Sequence, residues 1–199
     1  MNHLIIYAHP SDKSLNATIK NNLTEMLKSE HDVQIRDLHQ LNFNPVLSAQ
    51  DLTDQRRGVV AKEVKTEQQL IEWADCLTFI YPIWWAGMPA MMKGYIDRVF
   101  SYGFAYRYVE GKQQGLLSDK KVVVINTQGK SAQEYQASGM DKAIALTSDF
   151  GIFQYCGMKV IAHLNFERAD RATAEQIEVL QSAIKDIYQE SVLLLSLQE

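Results

Sequence analysis

Five short apolar runs recur along this chain, and each of the four intervals between them carries an amphipathic stretch with helical spacing. The runs are LIIYA (4–8), the Val33 and Ile35 of DVQIRDL, CLTFIY (76–81), KVVVIN (121–126) and MKVIAH (158–163). Runs of this length, rich in β-branched residues, read as strands. The first interval places Leu15, Ile19, Leu23 and Leu27 on one helical face, with Ser14 or Asn16 as the cap. A helix over Glu63–Trp73 precedes the third run, and Pro89 opens another with Met92, Ile96 and Val99 on one side. Residues 139–155 read as helix, and an amphipathic segment from 172 to about 195 closes the chain. Strands separated by helices pair in parallel, and a parallel sheet needs both faces covered. The pattern therefore predicts an α/β fold: a doubly wound five-stranded parallel sheet with helices on both faces. With no repeat and no Pro/Gly linker, residues 1–199 read as a single domain. Residues 41–62 lose periodicity and read as a long connection.

Ligands of such a sheet bind beyond the carboxyl ends of its strands, near the point where strand order reverses. That rule selects the loops after Ala8, Tyr81 and Asn126. The first, HPSDKSLN, has no glycine, and the first glycine of the chain is Gly58, so a glycine-rich dinucleotide fingerprint is excluded. A helix start still offers unpaired N–H groups and a positive dipole end, with His9, Ser14 and Asn16 as further donors to a phosphate. The second loop, PIWWAG, sets Trp84 and Trp85 after a strand, where Pro82, Ile83 and the indoles can floor a flat ring. In the third, NTQGKSAQEY, Asn126, Thr127 and Gln128 can bond a polar ring edge, Gly129 permits close approach, and Tyr135 supplies a hydroxyl. Each loop also has a plainer reading: a helix cap, tryptophans packed on a neighbour, a polar turn with a structural tyrosine.

Twenty basic against 24 acidic residues give a net charge of −4, with no field that advertises nucleic acid. His3, His31, His39 and His163 show no metal-binding spacing, so no metal is expected. Cys76 and Cys156 form no CxxC pair and suit a reducing compartment. No apolar run approaches a membrane span and no signal pattern opens the chain, so a cytoplasmic protein without membrane insertion is expected.

Taken together, YAHPSDKSLN, LNFNPVLSAQDLT, YPIWWAGMPAMMKGYIDRVFSYGFAY and INTQGKSAQEY resemble, in order and spacing, the motifs of the NAD(P)H:quinone oxidoreductase (DT-diaphorase) family, bacterial members included. The resemblance runs from Ile5 to about Ala162 and implies a flavodoxin-like fold, one flavin per subunit (FMN or FAD), NADPH or NADH as co-substrate, and two-electron reduction of a quinone by a ping-pong mechanism. It implies a homodimer with sites at the subunit interface. Carried over by position, His9, Ser14, Leu15 and Asn16 resemble phosphate-loop residues and Gln68 a flavin contact. Pro82, Ile83, Trp84 and Trp85 match the segment along the ring, and Asn126, Thr127, Gln128 and Gly129 its polar edge. Tyr135 matches the tyrosine that steadies charge on the reduced ring. Tyr106 and Tyr108 resemble residues lining the substrate space from the partner. Asp141 stands where well-known members carry a histidine, Trp84 replaces a glutamine, and Ala86 replaces an aromatic. A regulatory flavoprotein of a potassium-efflux transporter, an azo- or nitro-reductase and an electron-carrying flavodoxin share enough of these features to stand as alternatives. The aromatic run around Tyr102, Phe104, Tyr106 and Tyr108 predicts an apolar interface.

Overall fold

Alternation of strand and helix carries the chain back to the same sheet end after each strand. A computed structural model describes the backbone of residues 1–196 and the side chains to residue 189. In chain order the elements are β1 (Asn2–Tyr7), α1 (Leu15–Lys28), β2 (Asp32–Asp37), α2 (Ala49–Gln55), α3 (Lys62–Trp73), β3 (Cys76–Pro82) and α4 (Ala90–Val99). A hairpin of β4 (Tyr106–Val109) and β5 (Lys112–Gly115) follows, then β6 (Lys121–Thr127), α5 (Ala132–Ser138) and α6 (Met140–Ala145). A π-helix (Leu146–Gln154), β7 (Lys159–Phe166) and α7 (Ala174–Ser196) complete the chain. The five-stranded sheet is parallel throughout, in the order β2-β1-β3-β6-β7, so strand order reverses between β1 and β3. This is the flavodoxin-like doubly wound sheet.

Both faces of the sheet are covered. Leu4, Ile6, Val122 and Val124 pack with α3, α4 and the π-helix through Val64, Ile71, Met92, Tyr95 and Phe153. The intervening Ile5, Tyr7, Val123 and Ile125 pack with α1 and α7 through Ile19, Leu23, Leu27, Leu180 and Ile184. The period-two alternation of each strand feeds two cores, which is why the central runs present apolar residues to both faces.

Three local features differ from the sequence reading. The long connection holds α2, closed at its start by a reciprocal Ser48–Asp51 capping box. It is anchored by buried Arg98, which donates to the Asn44 carbonyl (2.7 Å) and to Glu63, lies 3.4 Å from Asp51 and covers the Phe43 ring. Gly94 lets this strap lie directly on α4, since a Cβ there would fall 2.1 Å from the Pro45 carbonyl oxygen. Residues 139–155 are helical as read, but a separate α5 precedes them, ended by Gly139 at φ 72°, and the pairing beyond Ala145 is π-helical, with the Tyr155 N–H donating to the Phe150 carbonyl at 3.2 Å. The aromatic run enters the β4–β5 hairpin, where Tyr106 packs edge-on to Tyr155 at 5.3 Å. No described helix is long and apolar enough to cross a membrane.

Candidate active site

The carboxyl ends of β1, β3 and β6 lie side by side and their loops surround one cavity of about 510 Å3. At the end of β1, Ala8 still donates to the Ile80 carbonyl (3.1 Å), and the chain then turns through His9–Lys13. Ser14 stops this turn by capping α1: its Oγ accepts from the Ala17 N–H at 3.1 Å and donates to the Ser11 carbonyl at 2.9 Å. The Tyr7 hydroxyl braces the loop from below, 3.3 Å from the Ser11 carbonyl. Among the described residues nothing accepts from the N–H groups of Leu15 and Asn16, and both residues line the cavity. Two free donors at the positive end of a helix make an anion seat.

The second loop is joined to the third by the Ile83 N–H, which donates to the Thr127 carbonyl at 2.8 Å. Trp84 and Gly87 exchange backbone hydrogen bonds (3.0 and 3.1 Å) across Trp85 and Ala86, at φ 48° and 63°. Neither residue is glycine, and each left-handed conformation costs about 1–2 kcal/mol. Strain of this kind concentrates at functional sites. The turn keeps Trp84 against the cavity, edge-on to the His9 ring at 5.6 Å, and leaves Trp85 fully exposed. Burial lowers the His9 pKa, which favours an uncharged ring against the indole.

In the third loop, Thr127 Oγ1 accepts from the Asn16 side chain at 2.7 Å, tying the first helix to β6. Gln128 is pinned by its backbone, whose N–H donates to Phe166 (2.8 Å) and whose carbonyl accepts from Ala169 (3.0 Å). Two buried acceptors, Asn16 Oδ1 and Gln128 Oε1, have no partner among the described residues. A Cβ added at Gly129 would meet open space. Asn126 departs from the expectation. Its side chain is wholly buried, donating to the Tyr81 carbonyl (3.2 Å) with its oxygen 2.7 Å from His163 Nε2, so it supports the loop from beneath and does not reach the cavity.

Of the residues expected from sequence, the structure therefore gathers His9, Ser14, Leu15, Asn16, Pro82, Ile83, Trp84, Thr127, Gln128 and Gly129 around one space. It adds Lys13, Ala169 and Asp170. The latter two follow β7, whose Phe166 pairs with Thr127, so a fourth strand end borders the site. The loop rule as applied to the sequence stopped at three. Within one chain, Trp85, Tyr135, Gln68, Tyr106, Tyr108 and Asp141 do not line this cavity. Gln68 is buried against the end of α4, donating to the Val99 carbonyl (3.1 Å) and Ser101 Oγ (3.0 Å). Tyr135 sits half-buried on α5 against the core, Tyr108 bonds Tyr155 (3.1 Å) on the hairpin side, and Asp141 opens α6 with one carboxylate oxygen buried and unpartnered. A larger hollow of about 600 Å3, between α1 and α7, is mostly apolar and holds no such convergence of donors and acceptors.

The donor set fits a flavin. Free helix-start N–H groups suit its phosphate, Ile83 and Trp84 offer a flat side, and an orphaned amide acceptor beside an open glycine suits a ring edge that carries both N–H and carbonyl groups. Comparison with known proteins agrees. A family profile described as flavodoxin-like fold matches residues 1–190. An NAD(P)H oxidoreductase of Haemophilus influenzae, described as uncharacterized, is 38% identical over 185 residues, 88% of this chain and 91% of its own length. The crystal structure of a Klebsiella pneumoniae protein, provisionally described as a quinone reductase, superposes with a TM-score of 0.87 at 29% identity, covering 97% of this chain and 85% of that one. The NAD(P)H:quinone oxidoreductase of Methanothermobacter marburgensis gives 0.81 at 28% identity, covering 92% and 94%. Strand order, the glycine-free loop after β1 and these relatives converge on one conclusion: the chain belongs to the flavodoxin-like NAD(P)H:quinone oxidoreductase family.

Proposed function

We propose that this chain is a flavin-dependent oxidoreductase in which NADPH or NADH and a quinone take turns in one place, a two-electron, ping-pong reduction. The observation that supports it most is the convergence of three strand-end loops on a cavity with free helix-start donors at one side and the unpaired Gln128 amide oxygen at another. Bound FMN or FAD supplies the hydride chemistry. The chain's own residues hold and orient it. The Leu15 and Asn16 N–H groups take the phosphate, Pro82, Ile83 and Trp84 flank the ring, and the loop from Thr127 to Gly129 meets its polar edge. The Gly129 N–H, which has no acceptor among the described residues, is the donor there that would favour negative charge on the ring with little reorganisation.

The same reading makes the protein a homodimer. Tyr102, Tyr108, Leu146 and Phe150 are exposed large hydrophobic side chains, and a second copy covers such surface. In that arrangement Tyr106 and Tyr108 serve the partner's cavity or the space in front of it, which accounts for their distance from the cavity of their own chain. Purified protein is expected to be yellow, with FMN or FAD identified by mass spectrometry. NADPH bleaches the colour and menadione restores it. Initial-rate lines at several quinone concentrations run parallel. Colourless protein that takes up neither flavin overturns the reading, and intersecting lines overturn the alternating mechanism.

A further inference from the structure

We propose that His163 is a positioning residue for the flavin loop: braced by Asp149, it fixes Asn126 and through it the bases of the second and third loops. The inference rests on the flavin reading above and concerns residues that the cavity itself does not include. Asn126 spends its amide nitrogen on the Tyr81 carbonyl, so its oxygen faces His163 Nε2 at 2.7 Å. A carbonyl oxygen only accepts, as a carboxylate does, so each ring nitrogen is placed to donate, Nε2 to Asn126 and Nδ1 to Asp149. Nδ1 lies 2.9 Å from both Asp149 oxygens. Asp149 is itself met by the Ser148 hydroxyl at 2.7 Å. Tyr81 stands near the end of β3, just before Pro82 and Ile83, while Asn126 stands just before Thr127–Gly129, so one imidazole governs the roots of both loops.

Two irregularities bring the pair together. The register of β6 against β7 slips between Val122 and Val123, so that His163 pairs with Val124 and shares its side of the sheet. Regular pairing would set Val124 against Ala162 and turn His163 to the opposite face. On the face it does occupy lies the π-helix, whose pairing places Asp149 over the sheet. A slipped strand and a π-helix both give up regular hydrogen bonding, and both recur where a side chain must be re-aimed. Here the two departures serve one contact. An Asp–His pair holding an amide resembles the way outer partners orient the groups that touch a bound ligand.

The test compares wild type, His163→Gln, Asn126→Ala and the double variant. Two readouts are used: hydrogen exchange at Gln128 and Gly129 in flavin-free protein, and the dissociation constant for FMN and FAD. His163→Gln is expected to speed exchange at the loop and to weaken flavin about tenfold, the scale of one buried hydrogen bond. The double variant is expected to match Asn126→Ala, because His163 acts through Asn126. Additive losses, or unchanged exchange and affinity in His163→Gln, overturn the proposal. Should His163→Gln fail to fold, Asp149→Asn keeps an acceptor for Nδ1 and is read the same way. If wild type takes up no flavin, the proposed function fails, while loop exchange in the flavin-free protein still decides the role of His163.

Discussion

His3 gives a direct measure of how deeply the amino-terminal strand is buried. It lies in β1 at 2% exposure, its ring 4.9 Å from that of His31 and edge-on to Tyr188 at 5.7 Å. Neither ring nitrogen has a partner among the described residues. Burial, then the neighbouring His31 and the amino terminus, lower its pKa from 6.5 to about 4 against a smaller opposing effect of Asp75. A depressed value on a base means the native state holds the neutral ring. Its stability is therefore complete above pH 6.5 and is lost as pH falls from 6.5 toward 4. Linkage between those two values puts the loss at about 2 kcal/mol by pH 5. His3→Phe keeps the ring packing, breaks no hydrogen bond and removes the titration. Urea unfolding of both proteins at pH 7.5 and pH 5 should show wild type losing about 2 kcal/mol more than the variant. Equal losses would mean that His3 is charged or solvated in the native state, and the reasoning from burial would be wrong.

Other outcomes follow from the site. Ala86→Gly removes the cost of a left-handed alanine in the Trp84–Gly87 turn and should raise the melting temperature by about 2–4 °C, read by calorimetry. Asn16→Ala removes one hydrogen bond together with an unpartnered buried oxygen. Thermal stability should therefore shift by less than about 1 kcal/mol while flavin affinity falls about tenfold in fluorescence titration. The family resemblance, and not the lining of the cavity, gives Tyr135 a part in flavin reduction: Tyr135→Phe should leave flavin bound and slow its reduction by NADPH by roughly one to two decades, and unchanged stopped-flow traces would remove that tyrosine from the mechanism.

Much of the architecture was legible because hydrophobic periodicity is local. LIIYA and the centres of CLTFIY and KVVVIN carry apolar residues at both odd and even positions, which only a strand covered on both faces requires, and the intervening helical faces supply those covers. The cavity was legible for a related reason. Once strand order is known, the ends of β1, β3 and β6 must be neighbours, so Ser14, Asn16, Ile83, Trp84, Thr127 and Gln128 had to approach one another. What escaped depends on geometry without a composition signal. Nothing in the sequence sets Arg98 apart from other charges, yet it is the buried anchor of the strap from Asn44 to Glu63. Ala169 and Asp170 border the site only because β7 pairs beside β6.

The sequence alone determined which segments form the five strands of the main sheet, that this sheet is parallel, and that the loops after Ala8, Tyr81 and Asn126 meet at one end of it. Those properties follow from residue order, apolar spacing and the connections that parallel strands permit. Tertiary structure decided where individual side chains point. Asn126 reads as a cavity donor in one dimension and is turned beneath the loop by His163 in three. His163 itself reads as an isolated histidine until a register slip and a π-helix set it against Asp149. The physical reason is that a strand's side-chain direction reverses with each single-residue shift, so one irregularity re-aims a residue without changing the pattern that predicted the strand.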